Sequence, residues 1–336
     1  MACTMLPDPE ILRDVLPTGR LNARGMARPP LRDGYRRIPD ARNALTVAGA
    51  LLQTVGVVVA AGGVGTWWSY LLAFLVMGRG HCQLNILGHE AAHKLLFSQR
   101  RLNDLCGRWL LGYPALQGML GYRRAHMAHH RDEMGPDEPD TGLYAGYPVA
   151  RDSLRRKLTR DLLLVSATRN LRALLVVARR STGGGREARQ VLAVQLALFA
   201  AACAWGRPLL YPVCWLLPWM SLWKVSNRLR AIAEHGGMSR STDRRLTTHV
   251  VRQSRLARFL FVPYNTGWHL AHHVDIGVPF RHLPRFHEEL VRSGWVVPEL
   301  EYPSYRALWR RLASGPPRDR TPRGDRVEAW SSVLPG

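Results

Sequence analysis

The chain of 336 residues sets 47 Lys and Arg against 25 Asp and Glu, a formal net charge of +22, yet 46% of it is hydrophobic and it holds 11 Trp. A chain this apolar buries enough surface to offset its ordering entropy, which excludes a disordered basic tail. Its five Cys (Cys3, Cys82, Cys106, Cys203, Cys214) form no C-x-x-C pair, so a zinc ribbon, a thiolate-held iron–sulfur cluster and a disulfide scaffold are all disfavoured.

Residues 1–43 are polar and proline-rich, unlike a signal peptide, and read as a cytosolic N-terminal segment. Residues 44–78 contain no charge at all. One helix crosses a bilayer with roughly 20 apolar residues, so this stretch is long enough for two crossings and predicts a hairpin that turns at Gly62-Gly63-Val64-Gly65. Residues 102–122 and 162–177 are weaker apolar segments interrupted by charge, and predict helices lying on the membrane surface with Arg snorkelling. Gly183-Gly184-Gly185 reads as a loop, since no Lys-Ser/Thr follows it as a phosphate cradle requires. Residues 190–223 carry one charge, Arg207, and predict a second hairpin turning at Trp205-Gly206-Arg207-Pro208.

Of the 47 basic residues, 46 lie outside the two hairpins. The positive-inside rule then puts portions 79–189 and 224–314, and both termini, in the cytoplasm. The expectation is an all-α membrane protein of four transmembrane helices under a helical cytosolic cap, with a domain over 44–314 and a disordered tail at 315–336. The Arg excess also follows from GC-rich coding and does not argue for nucleic acid, so membrane lipids are the expected contact.

The 13 His carry the chemistry. His89 and His93 form H-x-x-x-H; His126, His129 and His130 form H-x-x-H-H; His269, His272 and His273 repeat it. Positions i, i+3 and i+4 share a helix face, so each group is expected to aim its imidazoles at one point. Eight imidazoles exceed the four ligands of a zinc site and imply two metals; donor type alone leaves Fe, Zn, Cu and Ni open. His249, His282 and His287 read as structural. Ligands of one site must lie on one side of the bilayer, so the chain between His130 and His269 must cross an even number of times, as the second hairpin does.

With HEAAH, HMAHH and HLAHH in this order, and AEHGG after the second hairpin, the chain resembles the membrane fatty-acid desaturase family over about residues 44–290, nearest its bacterial acyl-lipid branch. That resemblance implies an integral inner-membrane enzyme with two Fe ions held by the eight box histidines, and O2-dependent desaturation of an acyl lipid or acyl thioester. It also implies an external electron-donor protein of ferredoxin, rubredoxin or cytochrome type, since the sequence contains no redox motif of its own. Family members commonly use a ninth ligand near the end of the fourth membrane helix, where His235 stands; His81, eight residues before His89, is a weaker candidate. Glu90, Asn265 and Glu234 are candidate partners that orient ligand imidazoles. Two rivals remain: a hydroxylase or other oxidative tailoring enzyme on the same scaffold, and an intramembrane zinc metalloprotease, because HEAAH also satisfies H-E-x-x-H.

Overall fold

A computed structural model describes residues 5–316; Cys3 and nearly all of the expected disordered tail lie outside the described residues. Helices dominate. The short α1 (Leu31–Tyr35) precedes two long helices, α2 (Asp40–Val64) and α3 (Trp67–Ala92), which form the first expected hairpin with its turn at Gly65. Then α4 (Arg100–Leu105) runs on as a π-helical segment, Cys106–Gly112, and is followed by α5 (Met119–Arg131), α6 (Thr141–Tyr144), α7 (Arg151–Leu162) and α8 (Val165–Ala178). The second hairpin pairs α9 (Gly183–Ala204) with a helix that runs unbroken from 210 to 235. That helix is π-helical at Leu210–Leu216 and Trp219–Trp223, and its last part is α10 (Lys224–His235). The cap closes with α11 (Arg255–Leu260), α12 (His269–Val274), α13 (Leu283–Arg292) and α14 (Tyr305–Leu312). Among the described residues the only strands are β1 (Val250–Val251) and β2 (Glu301–Tyr302), paired in parallel.

Two stretches, Leu31–Val64 and Gly183–Ala204, are long and apolar enough to cross a membrane by length and composition. The other two long helices are mixed in character. In α3, Trp67 (78% exposed), Leu71, Leu72 and Leu75 face outward, whereas from Met77 to Ala92 nearly every residue is buried. The outward apolar face continues on Leu45, Leu52 (77% exposed), Val55 and Val59 of α2 and on Leu196 and Phe199 of α9. Large exposed apolar side chains on three of the hairpin helices mark a surface suited to a membrane or a partner. The inner half of α3 packs against the fourth helix at Gly78, where a Cβ would stand 2.7 Å from Leu222 Cδ1 and 2.8 Å from its Cβ.

Two local expectations are corrected. Residues 183–185 are not a loop but the first turn of α9: the Thr182 hydroxyl accepts the Gly185 N–H as an N-cap, and the Arg180 carbonyl occupies the space a Cβ at Gly185 would need. Residues 102–122 are not one surface helix, since the helix ends at Gly112 and α5 starts anew at Met119, after the break that Pro114 imposes. The N-terminal segment is fastened to the cap through Arg20–Glu289 and Arg36–Asp275 ion pairs. At the other end Gly315 donates its N–H to the Val149 carbonyl.

Candidate metal centre

Four elements deliver imidazoles to one region of the cap. The end of α3 brings His89 and His93, α5 brings His126, His129 and His130, α12 brings His269, His272 and His273, and α10 ends on His235. All but His93 are buried. The ligand atoms of His89, His93, His126, His130 and His272 lie within 4.8 Å of one another, and so do those of His129, His235, His269 and His273.

Each H-x-x-H-H helix therefore divides its histidines between two points, not one. On α5, His126 and His130 join the first group and His129 the second; on α12, His269 and His273 join the second and His272 the first. At 100° per residue, positions i and i+4 stay within 40° while i+3 and i+4 are 100° apart, so neighbours in the chain face different centres.

Donor geometry fits metal ions. In the first group, His126 Nε2 lies 2.9 Å from His93 Nε2 and 3.0 Å from His130 Nε2, which is 3.1 Å from His272 Nε2. In the second, His269 Nε2 is 3.1 Å from His235 Nε2 and 3.0 Å from His273 Nε2. Two imidazole nitrogens bound at right angles to one ion at about 2.1 Å stand about 3.0 Å apart. His89 Nε2 is buried with no partner in the protein. On three of the rings the opposite nitrogen is held: His235 Nδ1 donates to the Thr247 carbonyl at 2.9 Å, which leaves the lone pair on Nε2. His129 Nδ1 meets Glu138 and His273 Nδ1 meets Glu133, both buried carboxylates that fix the same tautomer.

Burial holds His126, His130, His269, His272 and His273 well below the ordinary imidazole value, helped by neighbouring imidazoles, so their lone pairs stay available near neutrality. For His129 burial opposes the charged form, but the hydrogen bond and charge of Glu138 outweigh it and the net shift is upward.

The remaining candidates fall elsewhere. His81 is buried in α3 and donates Nε2–H to the Trp215 carbonyl at 2.9 Å, outside both groups. Neither Glu90 nor Asn265 hydrogen-bonds an imidazole; together they hold the backbone on both sides of Phe280, Glu90 accepting the Phe280 N–H at 3.0 Å and Asn265 donating to the Phe280 carbonyl at 3.2 Å. Glu234 Oε1 stands 3.4 Å from His269 Nδ1 and 3.6 Å from Arg230. His249 donates to the Gly236 carbonyl and stays outside the groups. The sequence reading missed Glu133 and Glu138, although their signal was present: five acidic residues (Asp132, Glu133, Asp137, Glu138, Asp140) follow box two directly in an otherwise Arg-rich portion.

A family model described as fatty acid desaturase matches residues 65–314, which takes in all nine gathered histidines. The chain belongs to the fatty acid desaturase family. Over 232 residues it is 23% identical to a dihydrorhizobitoxine desaturase of Bradyrhizobium elkanii, an alignment covering 64% of this chain and 66% of that relative, just under two thirds of its length. In this desaturase-family chain the matched region begins at the hairpin turn and ends at the bridge between Ala150 and Ser314.

Proposed function

We propose that this desaturase-family chain is an integral-membrane oxidoreductase that introduces a double bond into an acyl chain at two iron ions. Two C–H bonds on adjacent carbons break and a C=C bond forms, while O2 leaves as two waters with two electrons from an external donor protein and two protons from solvent. The observation that carries the reading is the pair of histidine groups, five and four imidazoles, within a chain of this family. Bound iron supplies the O2-derived oxidant that an unactivated C–H bond demands. The protein's own residues do the rest. Nε2 atoms of His89, His93, His126, His130 and His272 hold one ion, and those of His129, His235, His269 and His273 the other. Glu138, Glu133 and the Thr247 carbonyl fix three of the rings, and the buried setting excludes water.

We place all four long helices in the bilayer, supported by the exposed apolar band and by the positive-inside rule, with the metal centre and both termini cytoplasmic. A second reading is a hydroxylase or other oxidative tailoring enzyme on the same scaffold; the relative named for desaturation of dihydrorhizobitoxine supports its tailoring form and not hydroxylation. The protease reading loses support: its general base would be Glu90, whose Oε1 is occupied by the Phe280 N–H, and nine histidines exceed its needs.

Expression in a host of defined lipid composition, followed by mass spectrometry of its acyl chains and metal analysis of the purified protein, tests this. A new double bond with about two irons per chain supports the desaturase. A new hydroxyl supports the second reading, and one zinc without iron refutes both.

A further inference from the structure

Glu133 occupies a place that no other carboxylate shares among the described residues: it forms a ligand-like trio with His130, from the first histidine group, and His273, from the second, one potential ligand atom of each lying within 4.8 Å of the others. Its side chain is 1% exposed. Oε1 meets His273 Nδ1 and takes an ion pair from Arg244 Nη1 at 2.8 Å, and Arg244 Nη2 also donates to the His130 carbonyl at 3.3 Å. The His130 and His273 rings are 4.3 Å apart, a close approach between the two groups. Two buried atoms here lack a well-formed hydrogen bond, Glu133 Oε2 and His130 Nδ1, and the Thr247 hydroxyl also faces the Glu133 carboxylate. His130 uses Nε2 on the side of His126 and His272, so its Nδ1 points away from that group's centre and needs an acceptor.

We propose that Glu133 is a positioning residue shared by both halves of the metal centre, accepting His273 Nδ1–H on Oε1 and His130 Nδ1–H on Oε2 while Arg244 anchors the carboxylate. One side chain then sets the orientation of a ligand in each group and, through them, the spacing of the two ions. Glu138 supplies the contrast, since it reaches only His129 of the second group. The inference rests on the two-metal reading above.

Mössbauer spectra of the full-length, iron-loaded ferrous protein separate the possibilities. The unsubstituted protein is expected to show two iron environments; if it does not, the two-metal reading fails and not the role of Glu133. Given two, Glu138→Gln is expected to shift one environment and Glu133→Gln both, with iron affinity lowered roughly 10–100-fold at each position. Arg244→Gln, which leaves the carboxylate in place but unanchored, is expected to shift both as well and serves if Glu133→Gln does not purify as a monodisperse protein. A shift confined to one environment, or none, in Glu133→Gln or Arg244→Gln overturns the proposal.

Discussion

His235 Nε2 stands 3.1 Å from His269 Nε2, across 34 positions of chain and the end of the fourth long helix. His235 closes α10 and His269 opens α12, so the second histidine group exists only when the fourth long helix and the third box are docked on each other. Substituting His235 by Ala is expected to halve the bound iron, from about two to about one per chain, and to lower activity by more than the roughly 10–100-fold typical of losing an outer hydrogen-bond partner. Metal analysis beside an activity assay checks this; an unchanged iron count removes His235 from the ligand set.

Glu187, from α9, accepts the Leu120 N–H at 2.9 Å and the Gly121 N–H at 3.1 Å, capping the helix that carries box two. Glu187→Ala leaves two part-buried donors at a helix start without their cap and is expected to cost about 1 kcal/mol. Thermal unfolding in detergent reads the loss, and a midpoint equal to that of the parent protein contradicts the role.

Close packing of α3 on the fourth helix permits no side chain at Gly78, because both the Cβ and Cδ1 of Leu222 lie under 3 Å from where a Cβ would go and a rotamer change cannot move both. Gly78→Val is expected to destabilise the protein by about 1–3 kcal/mol, and a compensating Leu222→Ala to recover part of it. Additive losses in the double variant exclude this contact as the cause.

Acid is expected to destabilise the metal-free protein. Burial lowers His126, His130, His269, His272 and His273 below the ordinary 6.5, so as pH falls through that value the unfolded chain gains protons that the folded one refuses. The stability these five contribute is present above 6.5 and is lost below it. His129, shifted upward, has the opposite sign: its contribution is full below 6.5 and is lost as pH rises through its folded value. Five outweigh one, so the unfolding midpoint of chelator-treated protein should fall between about pH 7.5 and pH 5.5. A midpoint that holds or rises over that interval contradicts the assignment of these rings as neutral.

How far each feature was legible depends on how local its cause is. The three boxes and the two hairpins could be read directly, because a histidine repeat and an uncharged run are properties of neighbouring residues. The triplet Gly183-Gly184-Gly185 was misread for the complementary reason: glycine disfavours helix by about 1 kcal/mol per residue, and only the Thr182 cap and the crowding at Gly185 reverse that preference. Glu90 and Asn265 sit near boxes in sequence, yet both hold the backbone of Phe280, a residue distant from Glu90 in the chain.

By itself the sequence determined the uncharged, apolar character of the hairpins and the three histidine boxes, since composition and helical spacing act within a few residues. Only the tertiary structure decided which histidine serves which centre, and that Glu133 and Glu138 stand behind them. Adjacent positions such as His129 and His130 point 100° apart on one helix, so their destinations are set by what α5, α10 and α12 place on either side, and that information resides in packing between distant segments.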